Sequence, residues 1–214
     1  MGEFFNPEKG IWVWLSTGVD VVGLSVLWIF LCLPAVTVGP ATAALYYTVV
    51  KCVRGRETGA FGEYLHSFRA NFKVGVKVSL IVIPLFLLLL GGYRIVLWYG
   101  TRLGGAAYIL YVAYYFALVL PAGVLCWLFP LLGRFEYGVR GLFRTALQLT
   151  IAHLPSTVII VMLTAQSAVF CLNRWWPVVF LPTVAVLLVS LFTERIFQKY
   201  VPELAEEETQ ETEE

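Results

Sequence analysis

The sequence predicts an all-α fold, a polytopic transmembrane helix bundle of about six crossings with amphipathic helices at the cytoplasmic surface. Hydrophobic residues make up 59% of the 214 positions, and mean hydropathy is +0.80, well above the usage of water-soluble domains. Lys and Arg punctuate the gaps between apolar segments instead of covering one face, which is a topology signal. A net charge of +1 gives no case for nucleic acid binding.

A spanning helix needs about 20 mostly apolar residues. Segments 11–33, 76–98, 106–132, 151–172 and 177–193 meet that length. Between the first two, the chain is stopped at Pro34 and restarts at Pro40, whose fixed φ suits the first helical position. The sequence therefore predicts a broken pair, in which residues 35–50 form a short second crossing with an extended start. If the connections after the second and fourth crossings and both termini face the cytoplasm, that side holds Lys9, Lys51, Arg54, Arg56, Arg69, Lys73, Lys77, Arg134, Arg140, Arg144, Arg195 and Lys199. The other side holds Arg94, Arg102 and Arg174. That bias places both termini in the cytoplasm, whereas residues 35–50 as a re-entrant or surface segment would put the N-terminus outside and move only Lys9. Residues 1–200 read as one transmembrane domain, without a cleavable signal peptide, and the acidic stretch 201–214 as a disordered tail.

Two stretches carry a helical period without spanning length. Phe61, Tyr64, Leu65, Phe68 and Phe72 recur on one side of a helix, with His66, Arg69, Lys73 and Lys77 on another. Leu142, Phe143 and Leu147 form a weaker version with Arg140 and Arg144. Both are expected at the inner membrane surface, holding anionic lipid or a cytoplasmic partner.

Chemistry is sparse. The only histidines are His66 and His153, and no hydrolase, nucleotide-binding or metal-binding motif is present. Cys32, Cys52, Cys126 and Cys171 have no paired spacing and read as free thiols. No cofactor or metal is expected. The polar candidates are Asp20 inside the first span, expected to face the bundle interior because a lipid-facing carboxylate is costly, and the restarted helix. There Thr37, Gly39, Pro40 and Thr42 could hold a solute or ion at free amide groups, or serve close helix packing. Leu118-Val119-Leu120-Pro121-Ala122 echoes Leu31-Cys32-Leu33-Pro34-Ala35, a match short enough to arise by chance.

Phe5-Asn6, Leu33-Pro34, the run Thr37-Val38-Gly39-Pro40-Ala41-Thr42-Ala43-Ala44-Leu45-Tyr46-Tyr47, and Phe68-Arg69-Ala70-Asn71-Phe72-Lys73 together resemble the YesL-like family of bacterial membrane proteins, whose molecular function is not established. Leu24-Ser25 stands where that family commonly carries an Asn. The resemblance implies a multi-pass protein of the bacterial cytoplasmic membrane, encoded in many members beside carbohydrate importers. A non-enzymatic accessory or regulatory component follows as the leading expectation, with ABC-type importer subunits or a cytoplasmic regulatory protein as partners. A small secondary transporter or channel using Asp20 and residues 39–42 is the competing one.

Overall fold

In a computed structural model the chain is described over residues 7–55, 58–103, 105–174 and 176–213, and no strand occurs among them. Among these described residues, eight α-helices follow in order. They are α1 Pro7–Cys32, α2 Val38–Thr48, α3 Ala60–Ala70, α4 Phe72–Leu103, α5 Gly105–Arg134, α6 Val139–Ala152, α7 Leu154–Asn173 and α8 Leu181–Glu213. The polytopic helical bundle expected from composition is thus the observed architecture.

The break after α1 is tighter than the sequence suggests. Only Pro34 is extended, with φ −75° and ψ 116°. Residues Ala35–Thr37 already form a 3-10 turn, and α2 begins at Val38, two residues before Pro40. Beyond Thr48 the chain continues through a π-helical turn, Val49–Arg54. The second apolar segment is therefore Ala35–Arg54, 20 residues of helical geometry, about 30 Å long at 1.5 Å per residue. It is neither short nor extended at its start, because the 3-10 and π turns add to α2 at both ends.

Ala35–Arg54, Phe72–Val96, Val112–Arg134, Leu154–Asn173 and Leu181–Tyr200 are long and apolar enough to cross a membrane, and Thr17–Cys32 of α1 is a shorter apolar helix. The last segment starts later than expected because Trp176–Val179 form a separate 3-10 turn. The helix of α8 then runs on through Glu213. The Glu, Ala, Leu and Gln residues of that last stretch are good helix formers. Pro121 lies inside α5 without ending it, whereas Pro34 ends α1, so the two similar pentapeptides are not structural equivalents.

Helix pairing follows the small residues and the buried aromatics. α1 and α2 form an antiparallel hairpin in which the Thr37 hydroxyl donates to the carbonyls of Leu31 and Pro34, satisfying groups that the end of α1 leaves unpaired. α3 packs back along α2, burying Tyr64 among Leu24, Leu45 and Val49, and its hydroxyl donates to the Ala41 carbonyl at 3.1 Å. It is a packed element of the bundle, and only its outer side, with Phe61, Leu65, His66 and Arg69, is exposed. α6 is also packed. Leu142, Ala146 and Leu149 join Trp127, Leu128, Leu131 and Phe197 in the larger core, and Leu147, Arg140 and Arg144 face outward. The Trp127 indole N–H donates to the Thr157 hydroxyl at 3.0 Å, so burying this largest side chain leaves no orphaned donor.

α8 stitches the bundle together. It meets α1 where the Ser25 and Thr183 hydroxyls bond at 2.7 Å, α2 and α5 at Thr193 and Glu194, and the α6–α7 junction where His153 Nε2 lies 3.1 Å from the Tyr200 hydroxyl. His153, which the sequence places at a helix start, is a junction residue. Burial, then the charge of Lys199, holds its pKa below the ordinary 6.5. A depressed pKa means the fold favours neutral imidazole. This stabilisation is complete above about pH 6.5 and is lost as pH falls through the lower folded-state value. Unfolding midpoints in detergent should therefore drop between pH 7.5 and 5, and His153→Gln should flatten that part of the profile.

Candidate functional site

The restarted helix, the first sequence candidate, is closed by packing. The Gly39 N–H donates to Ser79 Oγ at 2.8 Å, and Ser79 in turn donates to the Gly75 carbonyl at 3.0 Å. A Cβ on Gly39 would lie 2.5 Å from the Gly75 oxygen, and one on Gly75 would lie 2.8 Å from the Pro40 ring. Thr42 accepts from the Trp28 indole at 3.2 Å, and Thr37 is spent on the α1 cap. An incoming anion would find the Gly39 amide already taken by α4. Thr37, Gly39, Pro40 and Thr42 are thus brought together as a helix-crossing device.

Asp20 lies at the flank of the packed side of α1, one turn before Gly23 and Leu24. It is half-buried between the exposed Val19 and Val22, and it has no hydrogen bond or ion pair among the described residues. The packed side of α1 is marked by Leu24 and Ser25, together with Gly23, against which the Phe61 ring of α3 closes.

Where α2, α3, the start of α4 and the α5–α6 connection meet, they leave a polar cleft of about 450 Å³. Tyr47, His66, Ser67, Asn71, Arg134 and Glu136 line it. Of the basic residues of the two amphipathic stretches, only His66 is in this lining. Arg69, Lys73, Lys77, Arg140 and Arg144 are exposed outside it. Sequence reading misses Asn71, Arg134 and Glu136 as site residues, although Asn71 lies in the family-like run. Its amide donates to the Ser67 carbonyl at 3.1 Å, fixing the one-residue break between α3 and α4. Nearby, Lys51 of the π-helical turn reaches α3 through Glu63 at 3.0 Å, a solvent-screened pair of small stabilising effect.

A second space is apolar. It measures about 600 Å³ and lies among α1, α2, α4, α5, α7 and α8. Small side chains create it: Ala122, Ala165, Ala168 and Ala185 face it from three helices, opposite Trp28, Phe86 and Phe129. Its few polar groups are already engaged. Thr42 takes the Trp28 indole, Cys126 pairs with Thr164 at 3.3 Å, and the Tyr46 hydroxyl points away to α8.

Between the two spaces sits a buried charge network. Glu194 is 5% exposed, and one of its oxygens accepts from Arg134 at 3.0 Å. The other accepts from the Tyr46 hydroxyl at 2.9 Å, which also bonds Thr193 at 2.6 Å. Tyr46 lines the apolar chamber and Arg134 lines the cleft, so this cluster is their shared partition. Among the described residues, no group of His, Cys, Asp and Glu could hold a metal ion, and all four cysteines are free thiols.

No curated protein and no solved structure matches the chain. Residues 21–93, about a third of the chain, match the family described as protein of unknown function DUF624, which is the YesL-like family.

Proposed function

We propose that the protein is a non-enzymatic component of the bacterial cytoplasmic membrane that docks a cytoplasmic partner in the polar cleft, as an accessory or regulatory element of carbohydrate uptake. The observation that carries this reading is the cleft itself, a concave site with ionisable, hydroxyl and amide groups from four parts of the chain. Exposed Arg69, Lys73, Lys77, Arg140 and Arg144 surround the same region of sequence, and by the positive-inside rule these segments face the cytoplasm, where they also hold anionic lipid. ABC-type importer subunits or a cytoplasmic regulatory protein are the partner classes. The carbohydrate link rests on the family resemblance.

The competing reading, a small secondary transporter or channel, would use Asp20, which is half-buried beside the packed side of α1 and lines neither the cleft nor the apolar space, and residues 39–42, where the Gly39 amide is taken by α4.

The test is recovery from mild detergent. The tagged chain should retain importer subunits or a regulatory protein, and the triple change His66→Ala, Asn71→Ala and Glu136→Ala should reduce recovery about tenfold, a loss of about 1.4 kcal/mol, while the chain remains monodisperse. Equal recovery by wild type and variant would reject the cleft. Flux of sugars in proteoliposomes, abolished by Asp20→Asn, would reject the whole reading in favour of transport.

A further inference from the structure

The geometry points to a lipid-binding site in the apolar chamber, one that takes a single acyl chain of a membrane phospholipid between α4 and α7. This does not rest on partner docking in the cleft. The lining decides the chemistry of the occupant. Twenty residues surround the chamber, and the hydroxyl, thiol and indole groups among them are hydrogen-bonded to one another or to α8. Thr164 also donates to the Ile160 carbonyl at 2.8 Å. A sugar or an ion entering there would give up its hydration without replacement, which excludes polar solutes.

Size decides between the two apolar occupants. A spanning helix about 10 Å wide and 30 Å long fills roughly 2,400 Å³, four times the 600 Å³ of the chamber. A second copy of the chain could therefore insert side chains but not a helix. One hydrocarbon chain suits the volume, and the bilayer around the helices supplies it at high local concentration. Access is lateral, because Phe86 and Leu87 of α4 and Ala165 and Ala168 of α7 both line the chamber and are exposed at its edge.

The experiment uses the full chain in phosphatidylcholine vesicles doped with a phosphatidylcholine that carries a diazirine midway along one acyl chain. After irradiation, labelled residues are mapped by mass spectrometry. Labelling at Leu125 and Cys126 should exceed that at the exposed Leu172 and Met162 by about tenfold, the occupancy ratio of a site 1.4 kcal/mol better than bulk lipid. Ala165→Trp and, separately, Ala122→Phe should remove the excess while leaving Leu172 labelling unchanged. Even labelling at all four positions of the wild-type chain would overturn the proposal without any variant having to fold. So would a disulfide formed between two copies carrying Leu87→Cys together with absent chamber labelling, which would assign the face to self-association.

Discussion

Gly39→Ala and Gly75→Ala should each lower stability by about 2–3 kcal/mol, the upper part of the range for over-packing a close helix contact, although alanine is ordinarily the better helix former by about 1 kcal/mol. The sign reverses because backbone meets backbone at the α2–α4 crossing. An added methyl at either position meets a carbonyl or the Pro40 ring within 3 Å, and neither can rotate away as a side chain could. Gly62 of α3 is the control, with open space where its Cβ would stand. Gly62→Ala should raise stability by about 1 kcal/mol. Thermal and denaturant unfolding of the three variants in one detergent checks this. Stabilisation by all three would mean that the crossing is looser than described.

Arg134→Ala should cost about 3 kcal/mol, and Glu194→Gln distinctly less, about 1 kcal/mol. Breaking a buried ion pair is expensive mainly for the charge left behind. Losing Arg134 strands a carboxylate that is 5% exposed, whereas losing the Glu194 charge leaves a guanidinium that is 37% exposed and can be hydrated. The amide introduced by Glu194→Gln would also keep an acceptor for the Tyr46 hydroxyl. The double change Arg134→Gln with Glu194→Gln should recover part of the single Arg134 loss. Equal costs for the two single changes would show that the pair is solvated on both sides.

Much of the architecture is legible before any coordinates. Apolar runs of spanning length, the stop at Pro34 and the small residues from Gly39 to Ala44 all report local requirements, which is why a broken helical hairpin can be read off directly. What fails is anything set by a partner far along the chain. Depth in the span is the only information the sequence offers on Asp20, and depth alone argues for an inward side chain. The rotation of α1 is set by Leu24, Ser25 and Gly23 packing on other helices, which leaves Asp20 half-buried at the flank of that face. Glu194 reads as the edge of a cytoplasmic tail, since nothing in its neighbourhood announces Arg134, 60 residues earlier. The aromatic period of α3 does mark an amphipathic helix, yet its best-buried member, Tyr64, turns to the α2 backbone instead of lipid. The alanines of α5, α7 and α8 carry no signal singly, and only their convergence makes a chamber.

The Tyr46–Glu194–Arg134 partition has an electrical consequence. An ion moving from the cleft toward the chamber would have to take Glu194 from both of its hydrogen-bonding partners, and beyond Tyr46 it would meet a hydrocarbon-lined space with no free ligand for its charge. The cluster is therefore an insulating seal, and a planar bilayer loaded with this protein should keep the conductance of lipid alone.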